Sequence, residues 1–165
     1  MVNNVDGYKI LNEIASVVSQ SLDLNEVLSS ALEMALQAVN LETGGIYLLE
    51  KDLQELTIAV QKGFSPEVIL AIDHLKIGEG FSGEVIKSGQ PIVIDDIGKD
   101  SRLSRSIVKK EGYKSLAVVP LCSKGKTLGT LFLVSRELRD FDDDEITKEI
   151  ENGKEGEITR LPFCF

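Results

Sequence analysis

The amino-terminal part of the chain has apolar residues at helical spacing. Ile10, Ile14 and Val17 recur every three to four positions, as on one face of an α-helix. Asp23 followed three residues later by Glu26 has the form of a capping box, which marks a helix start. The pattern therefore predicts two consecutive helices, the second beginning at Asp23, with apolar residues on more than one face.

Beyond this helical part, apolar residues come in short runs of strand length. Two pairs of runs, each joined by a polar turn, predict two β-hairpins, and hairpins require antiparallel pairing. A lone run lies between the pairs. The predicted strands are 46–49, 56–60, 92–94, 116–121 and 127–135. Pro120 lies inside a run and cannot donate a ladder hydrogen bond, so we expect an edge position or a bulge there.

Short helices are predicted between the two hairpins. Ser65-Pro66 is a capping residue followed by proline at the first helical position, and Gly89 is placed to end a helix over 81–87. A third helix is predicted over 103–111. The stretch 75–77 is too weak a pattern to predict a strand.

These elements predict an α+β fold in which helices lie on the faces of an antiparallel sheet of five to six strands. A single domain is expected over residues 1–150. Residues 151–165 are expected to be a tail open to disorder, since glycines and Pro162 interrupt the helical pattern there.

Charge and composition exclude several kinds of partner. The chain has 18 Lys and Arg against 27 Asp and Glu, a net charge of −9, which disfavours nucleic acid and anionic lipid surfaces. No apolar run approaches the roughly 20 residues that span a bilayer. Two distant cysteines without a Cys-x-x-Cys motif fit an intracellular protein better than a disulfide-rich secreted one. We therefore expect a cytoplasmic protein that binds neither nucleic acid nor membrane.

Two segments resemble the GAF domain family. They are "GFSGEVIKSGQPIVIDDI" (80–97) and "KSLAVVPLCSKGKTLGTLFLVSRELRDFDDDEI" (114–146). The first is similar to the family's helix, glycine stop and strand ending in acidic residues. The second is similar to its Val-Pro-Leu strand, short turn, Leu-Gly strand and closing acidic segment. The resemblance implies a twisted antiparallel sheet, a pocket between one sheet face and the middle helices, and a non-catalytic regulatory or sensory role in signal transduction.

The resemblance also indicates where a small-molecule ligand would bind. The predicted lining, around a cavity of a few hundred cubic ångströms, is Phe81, Val85, Ile94, Asp95 and Tyr113. Apolar members would supply contact area, while polar groups would orient the ligand. Neither the ligand nor any cofactor can be named from the sequence. The alternative is that Phe81, Val85 and Ile94 are simply core residues.

The chain departs from the specialised branches of the family. Ser135-Arg136 occupies the place of the Asn-Lys pair of cyclic-nucleotide-binding members, and no Cys-His pair is present to attach a bilin. Members that reduce free methionine sulfoxide use clustered cysteines, whereas Cys122 has no cysteine near it in sequence. The first alternative to a ligand-binding regulatory domain is therefore a dimerisation or interaction module without ligand. A sulfoxide reductase is the less favoured alternative.

Other motifs with possible chemistry are weak. The stretch 78–83 matches Gly-x-Gly-x-x-Gly but lacks the βαβ context of a dinucleotide site. His74 is a lone histidine, placed on a short helix or its exit, and it cannot build a zinc site alone. Asp95 and Asp96 are adjacent, so their side chains would point to opposite sides of a strand. The acidic run 142–145 lacks calcium-loop spacing. No metal site and no catalytic residue are predicted.

Two contacts complete the expectations. The amino-terminal helices, through Ile10, Ile14 and Val17, are predicted to form a homodimer interface. Arg136, leaving the last strand, is predicted to pair with Asp144 in the first turn of a following helix, as a stabilising contact rather than a ligand contact.

Overall fold

The computed structural model describes residues 4–101 and 106–141. Its first element is one continuous helix, α1 (Asn4–Ala38), about 50 Å long at the usual rise per residue. The prediction of two helices is therefore wrong. Asp23 and Glu26 lie exposed inside α1. A capping box starts a new helix only where the preceding chain leaves helical geometry. No glycine or proline between residues 8 and 38 interrupts the helix here.

The elements that follow α1 are those of an α+β fold, as expected from the sequence. They are β1 (Thr43–Glu50), β2 (Glu55–Lys62), α2 (Pro66–Ile72), β3 (His74–Lys76), α3 (Gly80–Ser88), β4 (Ile92–Ile94), a 3-10 turn (Ile97–Lys99), α4 (Ser106–Lys110), β5 (Ser115–Ser123) and β6 (Lys126–Ser135). Both predicted hairpins, β1–β2 and β5–β6, are present. The predicted third helix is seen as α4, and residues 102–105 before it lie outside the described residues.

The strands form one six-stranded sheet in the order β3-β2-β1-β6-β5-β4, and every neighbouring pair is antiparallel. This confirms the predicted fold class. The segment around Leu75, judged too weak for a strand, is the edge strand β3, where Leu75 pairs with Leu56. His74 accordingly lies at the exit of α2, as one of the two predicted placements has it, and begins the strand β3. Three residues are too few to show a period of two, so pairing with β2 decides their conformation.

Pro120 confirms the expectation of an edge position or a bulge. It pairs with Thr130 of β6 on one side, while β4 reaches only as far as Val118 on the other side of β5. No described strand therefore asks Pro120 for a hydrogen bond at the outer edge. The register between β5 and β6 also shifts directly afterwards, between Leu121 and Cys122.

The caps predicted for the short helices are present. The Ser65 hydroxyl accepts a hydrogen bond from the Val68 amide at 3.4 Å, and Pro66 is the first residue of α2. Gly89 ends α3 in the left-handed conformation, with φ of 70°, which favours glycine. These caps fix where α2 and α3 begin and end beneath the sheet.

The sheet separates two clusters of buried side chains because residues alternate between its faces. The face covered by the carboxyl-terminal half of α1 is called the α1 face. Its buried residues are Leu32, Leu36, Val39, Ile46, Val119, Leu121, Leu131 and Leu133. The opposite face, covered by the short elements α2, α3, the 3-10 turn and α4, is called the cavity face. Its buried cluster includes Tyr47, Leu56, Val68, Phe81, Val85, Ile97, Tyr113, Leu116, Val118, Phe132 and Val134.

The carboxyl-terminal predictions lie beyond this description. Residues 142–165, which contain the expected domain end at residue 150, the tail and Asp144, are outside the described residues. The domain boundary and the tail therefore remain predictions.

Candidate ligand-binding site

A cavity of about 80 Å³ lies between the cavity face of the sheet and the short helices. Its wall consists of Tyr47, Phe64, Val68, Ile72, Leu75, Gly80, Phe81, Ser82, Ile97, Val108, Tyr113, Leu116, Val118, Phe132 and Val134. Phe64, Gly80 and Val108 are half-buried and mark the side nearest to solvent, whereas the other lining residues are buried. The cavity is smaller than the few hundred cubic ångströms expected from the sequence.

Aromatic rings account for much of this difference in size. The Phe64 ring packs edge-on against Tyr113 with centroids 5.6 Å apart and lies 5.7 Å from the Phe132 ring, which in turn lies 5.0 Å from Tyr47. Such aromatic contacts contribute about 0.5–1.5 kcal/mol beyond burial. The rings form one wall and narrow the space beneath the sheet.

Three of these aromatic residues were not predicted as lining. Tyr47 and Phe132 follow directly from strand alternation, because their neighbours Ile46 and Leu131 face α1. That signal was available in the sequence. Phe64 lies in the loop before α2, where no periodicity indicates which way a side chain points.

The wall carries no charged side chain and few polar groups among the residues described for it. Its side-chain polar atoms are the hydroxyls of Tyr47, Ser82 and Tyr113. The Tyr47 hydroxyl donates to the Ile72 carbonyl at 2.6 Å, which ties β1 to the end of α2. A polar ligand would therefore find little in this wall to orient it other than Ser82 and Tyr113.

The Tyr113 hydroxyl is buried and has no hydrogen-bond partner. The Arg136 guanidinium lies over the Tyr113 ring, 4.9 Å from its centroid, and its N–H groups do not meet hydrogen-bond geometry with the phenol oxygen. Burial raises the pKa of Tyr113, and the nearby Arg136 charge partly offsets this effect. The hydroxyl therefore keeps its proton at neutral pH and remains an unused donor.

Arg136 is held in place by Glu111, directly after the end of α4. Its Nη1 donates to the Glu111 carbonyl at 2.6 Å, and its Nη2 lies 3.8 Å from Glu111 Oε2. The predicted partner Asp144 lies outside the described residues, so that ion pair stays a prediction.

The beginning of α3 forms another part of the wall through Gly80, Phe81 and Ser82. Gly78 has φ of +84° and its amide donates to the Gly83 carbonyl at 2.9 Å. A Cβ on Gly83 would lie 2.6 Å from the Lys76 carbonyl oxygen, so this position needs glycine. These glycines serve a tight approach between β3 and α3. The preceding strand β3 pairs antiparallel, so the βαβ unit of a dinucleotide site is absent here.

The structure places the five predicted lining residues differently. Phe81 and Tyr113 line the cavity. Val85 and Ile94 are buried in the same cluster but are not part of the wall. Asp95 is exposed outside the cavity, and its carbonyl accepts a hydrogen bond from the buried Ser115 hydroxyl at 2.7 Å. Contact of any of these residues with a ligand stays a prediction.

The other candidates for chemistry lie away from the cavity wall. His74 is exposed, with its Nδ1 3.1 Å from Asp73 Oδ2. Asp96 accepts a hydrogen bond from the Gly98 amide at 3.0 Å and so caps the 3-10 turn. Cys122 is buried near the end of β5, with its Sγ 3.8 Å from Thr127 Oγ1, and it is disulfide-bonded rather than the free thiol expected from the sequence.

The described residues contain neither a metal-binding cluster nor a membrane-spanning helix. Within 4–101 and 106–141, no three His, Cys, Asp or Glu side chains are grouped so that they could hold a metal ion. No helix in the described part of the chain is both long and apolar enough to cross a membrane.

The fold and cavity define an α+β domain with a six-stranded antiparallel sheet and a small apolar cavity beneath one face. A family model described as GAF domain matches residues 21–147. The chain belongs to the GAF domain family.

Individual relatives share the domain and modest sequence identity. The chain is 28% identical over 123 residues to a Nif-specific regulatory protein of Azospirillum lipoferum, covering 72% of this chain and 19% of that protein. It therefore spans about a fifth of the length of that curated relative.

Solved structures show the same fold. The GAF domain of a Coxiella burnetii phosphoenolpyruvate-protein phosphotransferase superposes with a TM-score of 0.66 at 22% identity, covering 90% of this chain and 91% of that one. A free methionine-R-sulfoxide reductase of Neisseria meningitidis, in complex with its substrate, superposes with a TM-score of 0.62 at 26% identity, covering 86% of each chain.

Proposed function

We propose that this GAF domain is a non-catalytic regulatory or sensory module, cytoplasmic in location, that binds a small molecule in the cavity beneath the sheet. The observation that carries the proposal is the cavity itself, with its buried, unpaired Tyr113 hydroxyl. A buried polar group without a partner costs about 1–3 kcal/mol, and a ligand would recover that cost. The similarity to a Nif-specific regulatory protein supports a regulatory role.

A reductase function is the catalytic alternative, because one structural neighbour is a free methionine-R-sulfoxide reductase. The cavity wall in the described residues does not favour it, since it contains no Cys, His, Asp, Glu, Lys or Arg side chain. Cys122 lies four residues beyond the lining residue Val118, about 13 Å along the strand. Transfer of oxygen from a sulfoxide needs a thiolate beside the bound substrate, and the wall offers none.

We also propose that α1 forms a homodimer interface. Among the described side chains of α1, Leu28 is the first that packs against the buried cluster of the α1 face. Ahead of that point, every side chain described in 12–16 and 23–27 is exposed. Large apolar side chains are exposed along α1 at Ile14, Leu24, Val27 and Met34. Leu24, Val27 and Met34 follow the a/d spacing of a coiled coil, so a second copy of α1 is the occupant that this surface fits.

The dimer is tested by a charged substitution in the projecting half of α1. Val27→Glu should shift sedimentation equilibrium towards monomer, because it places a charge in the apolar seam. Asn25→Glu, on an exposed position two residues away, is the control and should leave association unchanged. A wild-type chain that sediments as a monomer at high micromolar concentration would contradict the interface.

The ligand-binding role is tested by native mass spectrometry of freshly purified protein. A retained small molecule that is lost on mild activation, and absent from a variant whose cavity is filled by Val134→Phe, supports the proposal. If wild-type and filled variants have the same mass profile and the same response to added small molecules, the domain is an interaction module without ligand.

A further inference from the structure

We propose that the cavity takes a neutral, largely apolar molecule of only a few non-hydrogen atoms, whose oxygen accepts a hydrogen bond from the Tyr113 hydroxyl. The inference rests on the proposed function, since it names the chemical class of ligand for the same cavity. Three properties of the wall lead to it: its volume, the lack of charged side chains among its described residues and the position of the buried, unpartnered Tyr113 hydroxyl.

The volume sets the size of the ligand. An engineered apolar cavity of about 150 Å³ holds benzene. The cavity here measures about 80 Å³, so its occupant is smaller than benzene. A nucleotide or a chromophore does not fit this space, which agrees with the missing Asn-Lys and Cys-His pairs in the sequence.

The lack of charge sets the electrostatics. Among the residues that the structure describes, no Lys or Arg side chain lines the wall, and the Arg136 guanidinium lies over the Tyr113 ring and is bound to Glu111. An anion brought into this space would lose its hydration, and the Arg136 cation beside Tyr113 is already engaged by Glu111. That penalty exceeds what a single hydroxyl returns. A neutral molecule avoids the penalty and gains apolar contact with Val68, Val118 and Val134.

The hydroxyl sets the one polar feature. Tyr113 is 5% exposed and its phenol oxygen has no partner. The only other hydroxyls of the wall belong to Tyr47, which already donates to Ile72, and Ser82 on α3. A carbonyl or hydroxyl oxygen on the ligand would therefore be recognised chiefly by Tyr113.

The start of α3 is the feature that favours the opposite class, a small anion. Gly80, Phe81 and Ser82 of its first turn are in the wall, and a helix N-terminus attracts negative charge. Because no basic side chain of the described residues lines the wall itself, we expect this contribution to be smaller than the cost of burying a charge. Acetate is therefore included as a competing probe.

The test is an NMR titration of the full chain with carbon-13 labels in its methyl groups. The probes are acetone, a neutral acceptor, and acetate, an anion of the same size and shape. For wild type we expect saturable shifts at Val118 and Val134 with acetone and none with acetate. Tyr113→Phe should weaken acetone binding about three- to tenfold, as for loss of one hydrogen bond. Ser123→Ala, which removes an exposed hydroxyl outside the wall, should leave it within about twofold.

The outcomes separate the inference from the function beneath it. Equal acetone affinity in wild type and Tyr113→Phe, or tighter binding of acetate, overturns the proposed ligand class and leaves a ligand-binding domain standing. Absence of any shift at the lining residues with either probe overturns the inference, and native mass spectra without a retained molecule would then overturn the proposed function as well.

Discussion

The α1 face and the cavity face of the sheet are packed in different ways by neighbouring residues of the same strands. On the α1 face, one long helix lays Leu32 and Leu36 against Ile46 and Leu131, and every buried member of the cluster is aliphatic. On the cavity face, short helices and a turn cover a sheet surface that carries aromatic rings and leaves a space of about 80 Å³.

The difference follows from how the covering elements are built. A single helix presents a regular row of side chains at i, i+3 and i+4, which can fill the grooves of a sheet along its whole length. Separate short elements such as α2 and α3 approach from different directions, each fixed by its own cap, and do not close the space between them. The α1 face therefore contributes mainly packing, and the cavity face trades some packing for a site.

The largest effect that tests this comparison is a truncation on the α1 face. Leu36 is 3% exposed, so Leu36→Ala should lower the free energy of unfolding by about 2–5 kcal/mol. Gln37→Ala, on an adjacent exposed position, should change it by less than about 0.5 kcal/mol. Urea unfolding at one fixed protein concentration measures both, because dimerisation would make stability depend on concentration. A loss below 1 kcal/mol for Leu36→Ala would show that α1 is only loosely attached.

A matched enlargement distinguishes the two faces within a single strand. Val118 and Val119 are adjacent in β5 and both are buried, but Val118 lines the cavity and Val119 faces α1. Val119→Ile should destabilise by about 1–3 kcal/mol through overpacking. Val118→Ile should be neutral or stabilising by up to about 0.8 kcal/mol, because one extra methylene can occupy the cavity.

The same unfolding experiment gives a clear result against the comparison. If Val118→Ile is as costly as Val119→Ile, the cavity face is packed as tightly as the α1 face and the space does not admit additional atoms.

The smallest expected effect comes from the unpaired hydroxyl. Tyr113→Phe should leave stability unchanged or raise it by up to about 1 kcal/mol, because it removes a buried polar group that has no partner. Burial raises the pKa of Tyr113 in the folded state, so the unfolded chain loses this proton first as pH rises. The contribution of Tyr113 is thus constant below pH of about 10 and falls above it.

The pH dependence supplies the control for that substitution. Above about pH 10, wild type should lose stability more steeply with pH than Tyr113→Phe does. Identical slopes would mean that the folded environment does not perturb this hydroxyl, and a loss of several kcal/mol on substitution would mean that it has a partner after all.

Some elements of the fold could be predicted from the sequence, and others could not. Local sequence patterns predict the hairpin strands, the caps at Ser65 and Gly89, and the irregularity at Pro120. All of these are present in the structure. The prediction of a helix boundary at Asp23 was wrong, because Asp23 and Glu26 are as acceptable on an exposed helix surface as at a helix start. Strand β3 was not predicted, because its pairing with β2 determines its conformation and its own three residues do not indicate it.

The cavity was less predictable than the sheet. Strand alternation would have placed Tyr47 and Phe132 in its wall, whereas Phe64 depends on the path of a loop. Val85 and Ile94 were chosen on apolar character, which does not distinguish a wall residue from a core residue one layer away. Asp95 was chosen as a polar anchor, but the strand β4 ends before it and its side chain is exposed.

The account depends most directly on the claim that the cavity face, and not the α1 face, has room for a small molecule. Xenon is neutral and apolar and enters cavities of this kind. Methyl NMR spectra of the full chain under xenon pressure should show saturable shifts at Val68, Val118 and Val134, with Leu36, Val119 and Leu133 unmoved. Equal shifts on both faces, or none at the three cavity valines, would contradict the division between a packed face and a binding face.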